Sequence, residues 1–152
     1  MKKYLFALAI VMLGLVAVGC SKSETPPVTQ LPPTQEAPKP VGPPVVLPKD
    51  KTPEQYVTDY FNAYKEQRLE DAFKMQPAEN KGKQPEKEFI ALRKGMPIKE
   101  FSVLPTQKQG DSKLSVPVEY NVGQYGSWVS TWEFEKKGDT WTAVRYKAMP
   151  KQ

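Results

Sequence analysis

Between Ser21 and Asp50 the chain carries nine of its sixteen prolines and not one aromatic residue. No other feature restricts the fold as much. The run includes Thr-Pro-Pro, Leu-Pro-Pro, Ala-Pro-Lys-Pro, Gly-Pro-Pro and Leu-Pro-Lys-Asp. It has too little apolar surface to offset the entropy lost on ordering, and proline removes backbone donors, so an unfolded segment rich in polyproline II is expected. At about 3.1 Å per residue such a tether spans up to roughly 90 Å. A spacer is favoured over a ligand for proline-recognition domains, since those readers are mostly intracellular. From Lys51 to Gln152 the composition reverses. This part holds six of the seven tyrosines, all three tryptophans and five of the six phenylalanines. About 100 residues suffice for one domain with one core.

The segment before the tether reads as an address. Lys2 and Lys3 precede an apolar run from Tyr4 to Val18, which is the length of a secretory core and too short for a membrane span. It ends in Ala17-Val18-Gly19-Cys20, which resembles a bacterial lipobox, in which the cysteine is diacylated and becomes the mature N-terminus. The alternative is an ordinary signal peptide with an incidental cysteine. On the lipobox reading, residues 1–19 are the signal peptide, Cys20 is the lipid attachment point, residues 20–50 the tether and 51–152 the domain. The protein is then exported and anchored to a bacterial membrane. By resemblance to enterobacterial lipoproteins, Ser21 rather than Asp after the cysteine permits outer-membrane sorting. In a cell with one membrane, the protein stays on the outer face of the cytoplasmic membrane.

Composition excludes several chemistries. There is no histidine, hence no imidazole base and no histidine-ligated metal. The single cysteine makes neither an internal disulfide nor a thiolate metal site. Removing residues 1–19 takes Lys2 and Lys3 and no acid from a net charge of +5, leaving +3. That is too mild for a nucleic-acid footprint. No cofactor or metal motif is present.

Local patterns predict helices first and strands afterwards. Thr52-Pro53-Glu54-Gln55 is a capping box with proline at the first helical position, and Tyr56, Val57, Tyr60, Phe61 and Tyr64 recur at helical spacing. A second helix runs through Leu69, Ala72 and Phe73. Residues 78–84 read as a polar loop, and a third helix from Pro85 buries Phe89, Ile90 and Leu92. Beyond Met96 the period becomes two. Strands are expected over 98–104, 114–122, 128–134 and 141–148, with Pro117 demanding an edge or a bulge. The fold class is α+β, with N-terminal helices packed on a curved antiparallel sheet of about four strands.

The element order, the last hairpin Trp132-Glu-Phe-Glu-Lys-Lys-Gly-Asp-Thr-Trp141 and the stretch Tyr60-Phe-Asn-Ala-Tyr64 are similar to the nuclear transport factor two-like superfamily. Small bacterial envelope lipoproteins of that superfamily are the nearest likeness. The resemblance implies a cone-like domain over 52–148 with a pocket between sheet and helices. It does not fix function, since members of such folds catalyse, bind or dimerise.

An isomerase of that kind needs a pocket carboxylate. Glu119, Glu133 and Glu135 alternate with apolar residues and should face solvent, Asp71 lies on a polar face, and Asp59 lies beside the stripe of the first helix. No enzyme is therefore expected. The expected function is a non-catalytic binding module for an envelope protein or cell-wall component. The alternative is a carrier of a small molecule in a pocket lined by Tyr60, Tyr64, Tyr120 and Trp132. Arg145, placed on one strand face with Trp141 and Ala143, would add a cation to that pocket if the face is concave. The opposing reading is a solvated arginine whose stem covers Trp141. The stretch containing Lys81, Lys83, Lys87, Arg93 and Lys94 is read as a mildly basic surface. An exposed sheet face bearing Trp128 and Trp132 would mark an interface, a homodimer included.

Overall fold

The computed structural model describes residues 42–152. Cys20, the expected signal segment and most of the expected tether lie outside them. Among the described residues no helix is long and apolar enough to cross a membrane.

The chain is α+β. Strand β1 (Val45–Val46) precedes four helices, α1 (Pro53–Lys65), α2 (Leu69–Met75), α3 (Ala78–Lys83) and α4 (Glu86–Lys94). Five strands follow: β2 (Glu100–Val103), β3 (Gln107–Lys108), β4 (Lys113–Asn121), β5 (Ser127–Lys137) and β6 (Thr140–Pro150). They form one antiparallel sheet in the order β1-β6-β5-β4-β2, with β3 also on β4. The sheet therefore has six strands rather than four, and its ends do not pair to close it.

Helix α1 begins as its sequence dictates. Thr52 Oγ1 accepts from the Gln55 amide at 3.2 Å, and Gln55 Oε1 accepts from the Thr52 amide at 2.9 Å. Tyr56, Val57, Tyr60, Phe61 and Tyr64 are all buried. They meet the inward residues of β4 (Leu114, Val116, Val118, Tyr120) and of β5 (Trp132, Phe134). Aromatic edges dominate the contact: Tyr60 and Trp132 have centroids 4.7 Å apart, and Phe61 and Tyr120 5.1 Å.

Several expectations are corrected. Residues 78–83 are a helix, not a loop, although they have almost no apolar face of their own. Asn80 docks them on β6: its Nδ2 donates to the Tyr146 carbonyl at 2.8 Å and its Oδ1 accepts from the Tyr146 amide at 3.0 Å. The side chain thus completes the free edge of β6 as a neighbouring strand would. Further along the same edge, Val45–Val46 pair with Ala143 and Thr142, and Leu47 is buried, so these residues of the expected tether belong to the sheet. In α4 only Phe89 is buried; Leu92 is 48 % exposed, because the inward positions are Phe89 and, one turn on, Arg93.

Pro117 lies in an interior strand, and the irregularity it demands falls on its partner. Its carbonyl accepts from Leu104 N, so its missing N–H points the same way, toward the gap where β2 has ended and β3 has not begun. Across that gap the register moves by one residue. A second irregularity lies in β6, where Glu133 opposes Arg145 but Phe134 opposes Ala143. Val144 is the extra residue of this bulge. Simple alternation fails there, and Ala143 and Tyr146 both face the core.

Candidate functional site

The bulge decides where the cations go. Arg145 does not share a face with Ala143 and enters no aromatic pocket. It stands on the outer face of the sheet, with Nη2 2.6 Å from Glu133 Oε2, which holds the guanidinium charged. Glu119 pairs there with Lys151 at 2.7 Å and Glu135 with Lys113 at 3.0 Å. The uncovered face carries these charge pairs and also exposes Val46 and Met149, and it holds no tryptophan. Trp132 has no exposed surface, because Tyr56, Tyr60 and Tyr146 pack around it. It is unavailable to a partner, and of the two tryptophans expected at an interface only Trp128 reaches the surface.

The cation that does enter the aromatic layer is Arg93. From the inward side of α4 its guanidinium lies 5.4 Å from the Tyr64 ring centroid and 5.5 Å from that of Phe89. Nη2 donates to Tyr146 Oη at 3.1 Å, and Nη1 lies 3.5 Å from Tyr64 Oη. Among the described residues no carboxylate pairs with it, whereas Arg68 holds two, Glu66 and Asp71, and Arg145 holds Glu133.

Arg93 belongs to a cleft of about 380 Å³ between α3, α4 and the ends of β4–β6. Gln76, Asn80 and Tyr146 line it with Arg93, Tyr120 and Ala148 form the sheet side, and Leu92, Met96, Lys83, Gln84 and Trp128 complete the lining. Lys83 is engaged by Glu79 at 2.5 Å. The Trp128 indole N–H donates to the Tyr125 carbonyl at 3.1 Å, which ties the ring to the neighbouring turn.

The tyrosines around Arg93 do not neutralise it. Burial raises the pKa of Tyr60, Tyr64 and Tyr120; Arg93 opposes the shift without reversing it, so these phenols are neutral at ordinary pH. Tyr64 Oη donates to the Met96 carbonyl at 2.9 Å, and Tyr60 Oη accepts from Gln76 Nε2 at 3.3 Å. Arg93 Nε, Ser130 Oγ and Trp132 Nε1 are buried without a protein hydrogen-bond partner. All three belong to the cleft or its underside: Ser130 is cross-strand to Ala148, and Trp132 to Tyr146.

Of the pocket residues named from sequence, Tyr120 lines this cleft. Tyr64 lies behind Arg93, Tyr60 behind Gln76 and Trp132 beneath Tyr146. They make a packed layer under the cleft. Sequence reasoning missed Arg93, placing it on a basic surface, and its signal was the four-residue step from the buried Phe89. Among the described residues no group of His, Cys, Asp and Glu is arranged to hold a metal ion.

No protein-family model matches the chain, and no curated protein matches it. Among solved structures the chain is similar to RPA3114, a SEC-C motif containing protein from Rhodopseudomonas palustris. The TM-score is 0.48 at 17 % identity, covering 64 % of this chain and 79 % of that one. The resemblance to nuclear transport factor two-like lipoproteins is corrected: no family model and no curated protein supports it, and the solved structure found is that of a SEC-C motif containing protein.

Proposed function

We propose that this protein is a membrane-tethered, non-catalytic binding module that recognises an anionic ligand through the Arg93 cleft. One observation carries the reading: a largely enclosed guanidinium faces a cleft and has no carboxylate of its own. An isolated charge removed from water is costly unless an opposite charge meets it. A guanidinium serving the fold alone is expected to have a carboxylate beside it, as Arg145 has.

Two further observations favour binding over catalysis and a ligand over a large partner. Among the described residues no carboxylate lines the cleft, so they supply no base for an isomerase there. Its volume lies in the range of small-molecule sites, while the carboxylates Glu119, Glu133 and Glu135 on the uncovered face of the sheet are already paired with cations of this chain. A lipid on Cys20, with a proline-rich spacer behind it, would hold the cleft outside a bacterial membrane.

Native mass spectrometry of the full chain, released from micelles, tests this reading. The expected result is an added mass that is lost on denaturation, ionises as an acid and is absent from Arg93→Gln. A bare protein in every preparation, with no acidic compound retained from envelope extracts, overturns it. Labelling with a radioactive fatty acid checks the anchor: Cys20→Ser should abolish incorporation.

A further inference from the structure

We propose that the Arg93 cleft takes a monocarboxylate, its two oxygens held by the Arg93 guanidinium and the Tyr146 hydroxyl and its body laid against Trp128. This rests on the cleft being the binding site, and adds the ligand's charge and shape.

The hydrogen-bond inventory of the cluster is lopsided. A guanidinium carries five N–H donors and no acceptor. One is given to Tyr146 Oη; the contact to Tyr64 Oη at 3.5 Å is at the limit of a hydrogen bond. Nε has no protein acceptor. Tyr146 Oη accepts from Arg93 and its own proton has no protein acceptor, whereas that of Tyr64 is spent on Met96. Around the guanidinium itself donors therefore outnumber acceptors, and the amides of Gln76 and Gln84 elsewhere in the lining each carry two donors beside their one oxygen. A carboxylate, which only accepts and has about four lone-pair sites on two oxygens, is the complementary group.

Charge then selects among oxyanions. Among the described residues Arg93 is the one cation of the cleft without a carboxylate partner, since Lys83 is already held by Glu79. A single negative charge is matched by it; a phosphate monoester, with close to two, is not. The apolar part of the lining bears on shape. Trp128 has its N–H tied to Tyr125, and Leu92 and Met96 add apolar surface, which suits a flat or apolar body. A sugar acid and the C-terminal carboxylate of a short peptide share this chemistry.

The chain has only three arginines, Arg68, Arg93 and Arg145, so the arginine Nε–H region of a nitrogen-15 NMR spectrum of the full chain in micelles holds three signals. Arg93→Gln assigns the third by its loss. Benzoate should move the Arg93 signal saturably and leave the other two in place. Benzamide, equal in shape but neutral, should bind at least about tenfold more weakly. Phenyl phosphate should bind no more tightly than benzoate. Tyr146→Phe should weaken benzoate severalfold while the other signals keep their positions. Glucuronate and N-acetylalanine then separate the sugar acid from the peptide terminus, the tighter one naming the source.

Equal binding of benzamide, tighter binding of phenyl phosphate, or no saturable shift with any probe overturns the monocarboxylate. If the acidic mass of the native spectrum persists in that case, the binding module stands and only its ligand class is wrong. If both are missing, the binding module falls as well.

Discussion

Replacing Arg93 by methionine separates a binding arginine from a structural one, because the two roles predict different stabilities. Methionine keeps an unbranched stem over Tyr64 and Phe89 and removes the charge. The losses are the charged hydrogen bond to Tyr146, about 1.5–3 kcal/mol, and two cation–π contacts at 5.4 and 5.5 Å, about 0.5–1 kcal/mol each. Against these stands the release of a partly desolvated charge that no carboxylate offsets, worth several kcal/mol. The opposing contributions are of similar size, so Arg93→Met should change the unfolding free energy by less than about 1.5 kcal/mol, in either direction, while carboxylate binding disappears. Urea unfolding followed by tryptophan fluorescence reads the first quantity and the benzoate titration the second. A loss of more than about 3 kcal/mol, the size seen when one member of a buried ion pair is removed, would show that Arg93 serves the fold and refute the argument from its missing partner. Arg93→Ala is the contrast, since it also deletes the stem and should cost about 2 kcal/mol more through lost packing.

Two other outcomes follow from the same structure. Asn80→Ala removes both bonds to the Tyr146 backbone at the free edge of β6; at about 1 kcal/mol each, it should cost about 2 kcal/mol and lower Tm by roughly 8–16 °C, read by circular dichroism. Glu54 reports on acid. Burial is the largest single influence and raises its pKa, but hydrogen bonds from the Thr106 hydroxyl, its own backbone amide and Thr52, with Lys108 nearby, outweigh it and hold the carboxyl below its ordinary value. A depressed folded pKa gives stability that is complete above the unfolded value, about 4.3, and is lost as pH falls through the folded one. Tm should therefore drop on acidification below about pH 4.5, and Thr106→Val should flatten that drop; an unchanged pH profile would remove Thr106 from the account.

Legibility in the sequence followed how local the causes were. Helix α1 was readable because its cap and its stripe lie within thirteen residues and agree. The breaks between the expected strands were readable because glycines stand in them: Gly110, Gly123, Gly126 and Gly138 have positive φ, between 60° and 78°, where other residues are strained. Helix α3 was not, since a helix that short is held by Asn80 reaching a strand 66 residues away. Strand β1 was hidden for a related reason: Val45-Val46-Leu47 sits among prolines, and only the free edge of β6 makes it a strand. The aromatic layer was legible as a set of residues, but not as a solid one, because spacing tells which side chains face inward and not whether space remains between them.

The site itself turns on one residue that no periodicity announces. With unbroken alternation from Ala143, the next inward residue of β6 would be Arg145, and Tyr146 would face outward. Two guanidiniums, Arg93 and Arg145, would then be directed at one aromatic layer, with like charges repelling and Glu133 left on the far side. Val144 inserts one residue opposite Glu133 and reverses both assignments. Arg145 goes out to Glu133, and Tyr146 comes in to stack on Trp132 at 5.1 Å and to accept from Arg93. Ala148, inward by the same shift, leaves room on the sheet side of the cleft that a larger side chain would fill. The bulge thus gives one arginine a carboxylate and leaves the other with tyrosine hydroxyls, and that asymmetry is the physical basis for assigning ligand recognition to Arg93.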